Sequence, residues 1–338
     1  MFDKPEESDL PSEREKTTFL SQTWYQLCRC AILFQRNFPS KLQEALLIVG
    51  GTLAIALLDG SLRLTKDTHP NIPNEYSVLT LAMNGQGEMF EKVGLPLLFL
   101  HAGRGLVQLL NYATKVAVVI CVLSALASTK ALTEKRVEFF REAGSGYDIN
   151  AYYLAVNAFD TLEVSVKMIL AALYTATLRN SAASIGSMVL QFILLGWISA
   201  SWGLLFPLFV PSKSVVLVTA FFTIFTALLL SGAPGTPITY EMMYDTPILN
   251  VISSFFASPR FFVESLIVSE FKATPIQHGF TGTFPEYGNA FTNAGLAEGD
   301  SGVNEYSNGG WYWGVLPSIF VGLTIRCLGF IMVRFMNW

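Results

Sequence analysis

The chain has 338 residues, of which 51% are hydrophobic and only 14% are charged, and its mean hydropathy is +0.43. Because soluble domains carry about 25% charged residues, this composition excludes an ordinary soluble protein and indicates a membrane protein. The formal net charge of −4 argues against a nucleic-acid partner.

Residues 1–18 are polar and acidic, and we expect them to form a cytoplasmic tail. They lack the apolar core of a secretory signal and are too acidic for an organellar transit peptide. Residues 19–38 then combine an apolar face, which includes Trp24 and Phe34, with polar positions such as Arg29. This pattern is typical of a helix that lies in the membrane interface. A simple lead-in to the first transmembrane span is the alternative.

Six apolar segments approach or exceed the roughly 20 residues that a helix needs to cross the hydrocarbon core. They are residues 42–59, 105–128, 161–178, 184–210, 214–232 and 312–333. Six spans place both termini on one side of the membrane. Basic residues are more frequent before the first span and after the second, so the positive-inside rule predicts that both termini are cytoplasmic. Residues 60–104 are long enough to contain a further helix.

Ionisable side chains interrupt two of these spans. Glu163 and Lys167 are spaced i,i+4 near the start of the third span, a spacing that favours an ion pair within one helix. Such a pair is either functional or a neutralised pair near the cytoplasmic interface. Arg326 lies in the middle of the last span, and the sequence alone does not identify a partner for it.

Polar and aromatic side chains suggest a substrate path. Gln108 and Asn111 are polar groups at the start of the second span, where they suit a pore lining or a contact between helices. Phe221 and Phe225 share one face of the fifth span and form a second candidate for an apolar path. Phenylalanines in membrane helices more often face lipid or a neighbouring helix. A second face of the fifth span carries threonines suited to helix packing, namely Thr219, Thr223 and Thr226.

Residues 233–311 are rich in proline and glycine and are too long for a simple connection. We predict that they form a large outer loop before the last span. Within this loop, residues 250–271 are apolar but too interrupted to cross the membrane, which predicts a segment that enters the membrane and returns. None of the four cysteines lies in the loop, so no disulfide is predicted there.

Motifs for known chemistry are missing from the sequence. It contains no G-x-x-x-x-G-K-[ST] phosphate-binding loop, no H-E-x-x-H zinc motif and no G-x-S-x-G nucleophile elbow. The three histidines are scattered along the chain. We therefore predict no catalytic residue, no metal site and no cofactor bound by this chain itself.

Residues 129–160 form a charged, aromatic segment between the second and third spans, which we interpret as a cytoplasmic elbow. The charges alternate in sign, as on a solvated helix face. Phe139 and Phe140 are interleaved with these charges, although a purely solvated face does not need them. Gly144 and Gly146 then favour the end of the helix.

The pattern E-K-R-x-x-F-x-R-E-x-x-S-G-Y-x-x-x-A-Y-Y-L-A, from Glu134 to Ala155, resembles the coupling segment of ABCG (white–brown type) transporters. Residues 258–271, SPRFFVESLIVSEF, are similar to the outer re-entrant motif of the same family. The resemblance covers residues 19–338, and the plant and algal half-transporter branch is the most similar in pattern. The matching residues that the resemblance assigns to coupling are Glu134, Arg136, Arg141, Glu142, Ser145, Gly146 and Tyr147. The aromatic pair Tyr152 and Tyr153 also matches the elbow pattern, and the outer motif is matched by Ser258, Arg260, Glu264, Glu270 and Phe271.

This resemblance implies an all-α, ABC-2 type exporter fold with six transmembrane helices, an interfacial N-terminal helix and a large outer loop. It implies a homo- or heterodimer in the lipid bilayer that exports hydrophobic or lipidic molecules. The elbow would contact a nucleotide-binding domain that holds ATP and Mg²⁺. This chain has no such domain, so a partner subunit or another part of a longer protein would have to supply it. The alternative is an accessory or structural membrane protein that derives from a transporter and has no motor.

Overall fold

The computed structural model describes residues 18–58, 112–133, 141, 148–179, 181, 183–230, 246–273 and 302–335. Within these ranges the regular structure is α-helical, as predicted, and contains no β-strand. The helices in chain order are α1 (Phe19–Arg36), α2 (Phe38–Leu58), α3 (Tyr112–Thr133), α4 (Ile149–Leu178), α5 (Ile185–Phe209), α6 (Val215–Leu229), α7 (Pro247–Phe256), α8 (Ser258–Ala273) and α9 (Gly302–Phe335).

Five of the described helices are long and apolar enough to cross a membrane: α2, α3, α4, α5 and the Gly314–Arg334 part of α9. This finding makes the chain a multi-pass membrane protein and matches five of the six predicted spans. The sixth predicted span, residues 214–232, coincides with α6, which has only 15 residues. At 1.5 Å per residue α6 is about 22 Å long, which is shorter than a hydrocarbon core of about 30 Å. The six-span topology therefore remains a prediction.

The helices on either side of the predicted elbow extend into it. Of residues 129–160, the first few continue α3 as far as Thr133, and those from Ile149 onward belong to α4. Asp148 caps α4, because its side chain accepts a hydrogen bond from the backbone N–H of Asn150 at 2.9 Å. The sequence pattern placed the start of the third span at residue 161 because the first turns of α4 are less apolar than the rest.

The helices α1 and α2 run lengthwise beside α4. Near the start of α1, Gln22 Oε1 accepts a hydrogen bond from the backbone N–H of Asp148 at 2.9 Å. Near the start of α2, Lys41 Nζ lies 3.0 Å from Glu163 Oε1. These contacts advance in the same direction along both partners, so α1 and α2 lie parallel to the first half of α4.

The helix α1, predicted to be amphipathic, packs in the structure through a narrow stripe that includes the ring of Phe34, 5.7 Å from that of Phe159. Gln26 and Cys30 are its buried residues, whereas Leu20, Trp24 and Ile32 are all more than 60% exposed. In a membrane protein such a face is available to lipid or to another chain.

The central helix of the described bundle is α5, which packs against α4, α8 and α9. It approaches α3 closely at Gly203, where an added Cβ would collide with the carbonyl group of Ala125. Thr129 Oγ lies beside this crossing, 2.8 Å from the carbonyl oxygen of Ala125 and 3.1 Å from that of Gly203. Small residues at such a crossing let two membrane helices pack backbone to backbone.

Candidate functional site

Arg326 of α9 lies at the centre of a buried polar cluster. Its Nη2 donates a hydrogen bond to Asp160 Oδ2 of α4 at 3.3 Å, and the two side chains are 10% and 7% exposed. Ser128 of α3 donates to the other carboxylate oxygen of Asp160 at 2.6 Å. The carboxylate is therefore held by two different helices.

The other two nitrogens of the Arg326 guanidinium also donate hydrogen bonds. Nε donates to Ser201 Oγ of α5 at 2.9 Å. Nη1 donates to Thr161 Oγ at 2.9 Å and to two oxygens of Asn157 at 3.0 Å. The guanidinium also lies 5.3 Å from the ring centroid of Trp197. We call the six polar residues Ser128, Asn157, Asp160, Thr161, Ser201 and Arg326 the Arg326 cluster.

The Arg326 cluster connects α3, α4, α5 and α9. It lies near the C-terminal ends of α3 and α5 and in the first half of α4. This is the end of the bundle at which α3 ends and α4 begins. Arg326, for which the sequence alone identified no partner, is therefore paired with Asp160. A single sequence could not identify that pair, because it does not give the register between separate helices.

A second polar group joins α2 to α4. Lys167 Nζ is 2.6 Å from Glu163 Oε1 and 3.2 Å from Glu44 Oε2. Lys41 Nζ is 3.0 Å from Glu163 Oε1 and 3.2 Å from Glu44 Oε2. Each carboxylate thus contacts both ammonium groups, and we call these four residues the four-charge cluster. The i,i+4 pair of Glu163 and Lys167 was predicted, whereas the contribution of α2 was not.

The predicted outer motif is partly described. Arg260 and Glu264 are buried and paired, with Nε 3.1 Å from Oε1. Arg260 Nη1 also donates to the backbone carbonyl of Asn250 at 3.0 Å, to Ser254 Oγ at 3.0 Å and to Ser253 Oγ. The pair therefore braces the corner at which α7 meets α8. Glu270 and Phe271 belong to α8, but their side chains lie outside the described residues.

The candidate path residues on α6 face outward. Phe221 and Phe225 are 67% and 51% exposed, and their rings stack 5.6 Å apart. The threonine face of α6 is buried, as expected for a packing surface: Thr219, Thr223 and Thr226. Gln108 and Asn111 lie outside the described residues.

An apolar groove of about 560 Å³ adjoins α6, and the sequence did not predict it. Leu46, Leu47, Gly50 and Gly51 of α2 form one wall. The rest of the groove is formed by Ile224 of α6 and by four residues of α3: Val118, Val119, Val122 and Leu123. The described residues that line the groove carry no charge, so it suits a hydrocarbon chain or an apolar ring system.

Of the predicted coupling residues, the structure describes only Arg141. It is helical and exposed. Glu134, Arg136, Glu142, Ser145, Gly146 and Tyr147 lie outside the described residues. No three His, Cys, Asp or Glu side chains come together as metal ligands in the part of the chain that the structure describes.

No model of a known protein family matches this chain, and no curated protein matches it at a significant level. The resemblance to ABCG transporters therefore rests on the two sequence motifs.

Proposed function

We propose that this chain is the membrane-spanning subunit of an ATP-driven exporter of hydrophobic or lipidic molecules. ATP would be hydrolysed by a nucleotide-binding domain on a partner subunit or elsewhere in a longer protein. The ABCG-like motifs support this proposal, and the observation that carries it is the position of the Arg326 cluster. That cluster fixes the two helices that flank the elbow to the rest of the bundle.

The elbow begins in the last residues of α3, which ends at Thr133, and finishes in the first turns of α4, which starts at Ile149. Ser128 and Asp160 join these two helices by a 2.6 Å hydrogen bond, so a force on the elbow acts on both together. Arg326 then transmits the movement to α9 and, through Ser201, to α5. Separating a buried charge pair leaves an uncompensated charge, which strongly favours movement of the four helices as one unit.

The substrate path would include the apolar groove between α2, α3 and α6. Its volume of about 560 Å³ is in the usual range of small-molecule sites, roughly 300–1,000 Å³. The groove is open on one side, and the exposed rings of Phe221 and Phe225 lie on the same helix as Ile224 in its wall. A second subunit, in a homo- or heterodimer, would close the open side.

The first experiment is to identify what accompanies the native protein. The full chain is extracted in mild detergent, and the co-purifying polypeptides are identified by mass spectrometry. We expect a nucleotide-binding domain, either fused or separate, and ATPase activity in the preparation. A chain that runs at its own mass, with no ATPase in any preparation, would instead favour the accessory role.

A charge reversal then tests the elbow. In the reconstituted complex, Arg141→Glu is expected to lower substrate-stimulated ATPase activity about tenfold, which corresponds to one lost charge-assisted contact of about 1.4 kcal/mol. Lys213→Glu is the matched control, because Lys213 is also an exposed basic residue and lies between α5 and α6. Normal coupling in the Arg141 variant, or equal losses in both variants, would count against a specific role for the elbow.

A further inference from the structure

We infer that one buried water molecule occupies a small cavity between α5, α8 and α9 and bridges these three helices. The cavity has a volume of about 10 Å³, close to the minimum of roughly 10–15 Å³ that a single water needs. Its polar lining comes from Gln191 of α5, Ser258 and Ser265 of α8, and Ser318 of α9. Gly314 of α9 also borders it.

The side chain of Gln191 indicates that the cavity holds a bound molecule. The side chain is only 4% exposed, and its Oε1 accepts no hydrogen bond from any residue that the structure describes. Its Nε2, in contrast, donates to the backbone carbonyl of Ser265 at 3.1 Å and is 3.1 Å from Ser187 Oγ. Because the carbonyl of Ser265 can only accept, the amide cannot be turned around, and Oε1 is an unsatisfied buried acceptor.

The serines also present acceptors to the cavity. Ser265 Oγ donates its hydrogen to the backbone carbonyl of Phe261. Ser318 Oγ donates to the carbonyl of Gly314 at 2.6 Å. The hydroxyls of Ser265 and Ser318 therefore have lone pairs left over but no free hydrogen. A molecule that contacts these two hydroxyls or Gln191 Oε1 must donate hydrogen bonds or carry positive charge.

Water fits this requirement better than a monovalent cation. A buried acceptor without a partner loses its hydration outright, whereas an ordered water restores a hydrogen bond at a small loss of entropy. A bare cation would bring an unbalanced charge into the site, and burying a charge without a partner is far more unfavourable than burying a neutral molecule. Among the described residues that line the cavity there is no carboxylate to balance that charge.

The test is a structure of the full chain in lipid, at a resolution that shows ordered water. In the wild type we expect a single density peak within hydrogen-bond distance, about 2.5–3.0 Å, of Gln191 Oε1, of one serine Oγ of α8 and of Ser318 Oγ of α9. Gln191→Met replaces the amide with an apolar side chain of similar size, and the peak should be lost. Ser187→Ala is the control, since it removes a contact of Nε2 and leaves Oε1 in place, and the peak should remain.

Three results would overturn the inference. One is an empty cavity in the wild type, which decides the matter even if Gln191→Met fails to fold. Another is a peak that persists unchanged in a folded Gln191→Met variant. The third is an anomalous signal at the cavity in crystals soaked in rubidium or caesium salts, which would identify a cation. The inference concerns packing within this chain and does not depend on the proposed function.

Discussion

At the residue scale, Arg326 offers the sharpest test of the structure. Among the described hydrogen bonds, only the one from its guanidinium joins α9 to the carboxylate of Asp160. Arg326→Met removes the cation and leaves that carboxylate buried. We expect the free energy of unfolding to fall by about 3–5 kcal/mol, the usual result of breaking one side of a buried pair. The measurement is reversible unfolding of the purified chain in mixed micelles.

The control for this prediction is a double-mutant cycle. Asp160→Asn alone is also expected to destabilise, because it leaves Arg326 without its counter-ion. In Arg326→Met/Asp160→Asn both charges are gone, so the loss should be smaller than the sum of the single losses, by about 0.5–3 kcal/mol. Strictly additive losses would show that the two side chains do not interact in the folded protein.

Gly203 gives a second prediction at this scale. An added Cβ would meet the carbonyl of Ala125 at the crossing of α3 and α5, so Gly203→Ala should lower the free energy of unfolding by about 1–3 kcal/mol. Gly50 of α2 is the matched control, because a Cβ added there would meet no atom outside its own helix within 4 Å. Gly50→Ala should therefore stabilise slightly, by about 0.5–1 kcal/mol. Equal effects of the two substitutions would contradict the close approach.

The sequence predicted contacts at this scale only when both partners lie on one helix. Glu163 and Lys167 are four residues apart, so helical geometry alone brings them together. Lys41 and Glu44 reach the same pair from α2, and Asp160 reaches Arg326 across the bundle. Those contacts depend on the register between helices, which results from the packing of many apolar side chains and leaves no local pattern in one sequence.

At the scale of elements, the four-charge cluster predicts how α2 is held against α4. Lys167→Met leaves Glu44 and Glu163 to share Lys41, so we expect a loss of stability on the order of 2 kcal/mol from the missing charged hydrogen bonds. Lys167→Met/Glu163→Gln removes one charge of each sign and leaves the Lys41–Glu44 pair intact. This double variant should recover part of the loss. Unfolding in mixed micelles measures both, and a double variant that is less stable than the single one would argue against the cluster.

The length of most elements could be read from the sequence, because runs of apolar residues mark what the hydrocarbon core requires. The ends could not. The helix α4 begins at Ile149 rather than near residue 161, because the cap at Asp148 and the packing of α1 stabilise turns that are not apolar enough to be counted as part of a span. The predicted re-entrant segment proves to be two helices, since Ala257 interrupts the helix between α7 and α8.

At the scale of the whole molecule, the number of membrane crossings depends on α6. Its 15 residues are all uncharged, and its outward face is apolar along the whole helix, from Leu217 through Phe221 to Leu228. A helix about 22 Å long with such a face is more stable in hydrocarbon than in water, and the bilayer can thin locally to match it. We therefore predict that α6 crosses the membrane and that the chain has six spans.

This topology can be tested by labelling single introduced cysteines from one side of sealed vesicles. The four native cysteines are first removed: Cys28, Cys30, Cys121 and Cys327. With six spans, Ser8→Cys, Ser212→Cys and Asn337→Cys react from one side, and Asn293→Cys reacts from the other. If α6 does not cross, Asn293 moves to the side of Ser212, and Asn337 moves to the opposite side because α9 still crosses. Ser212 keeps its side in both arrangements and serves as the internal control. A shared side for Asn293 and Ser212 would remove the six-span topology, and with it the ABC-2 type fold on which the exporter proposal depends.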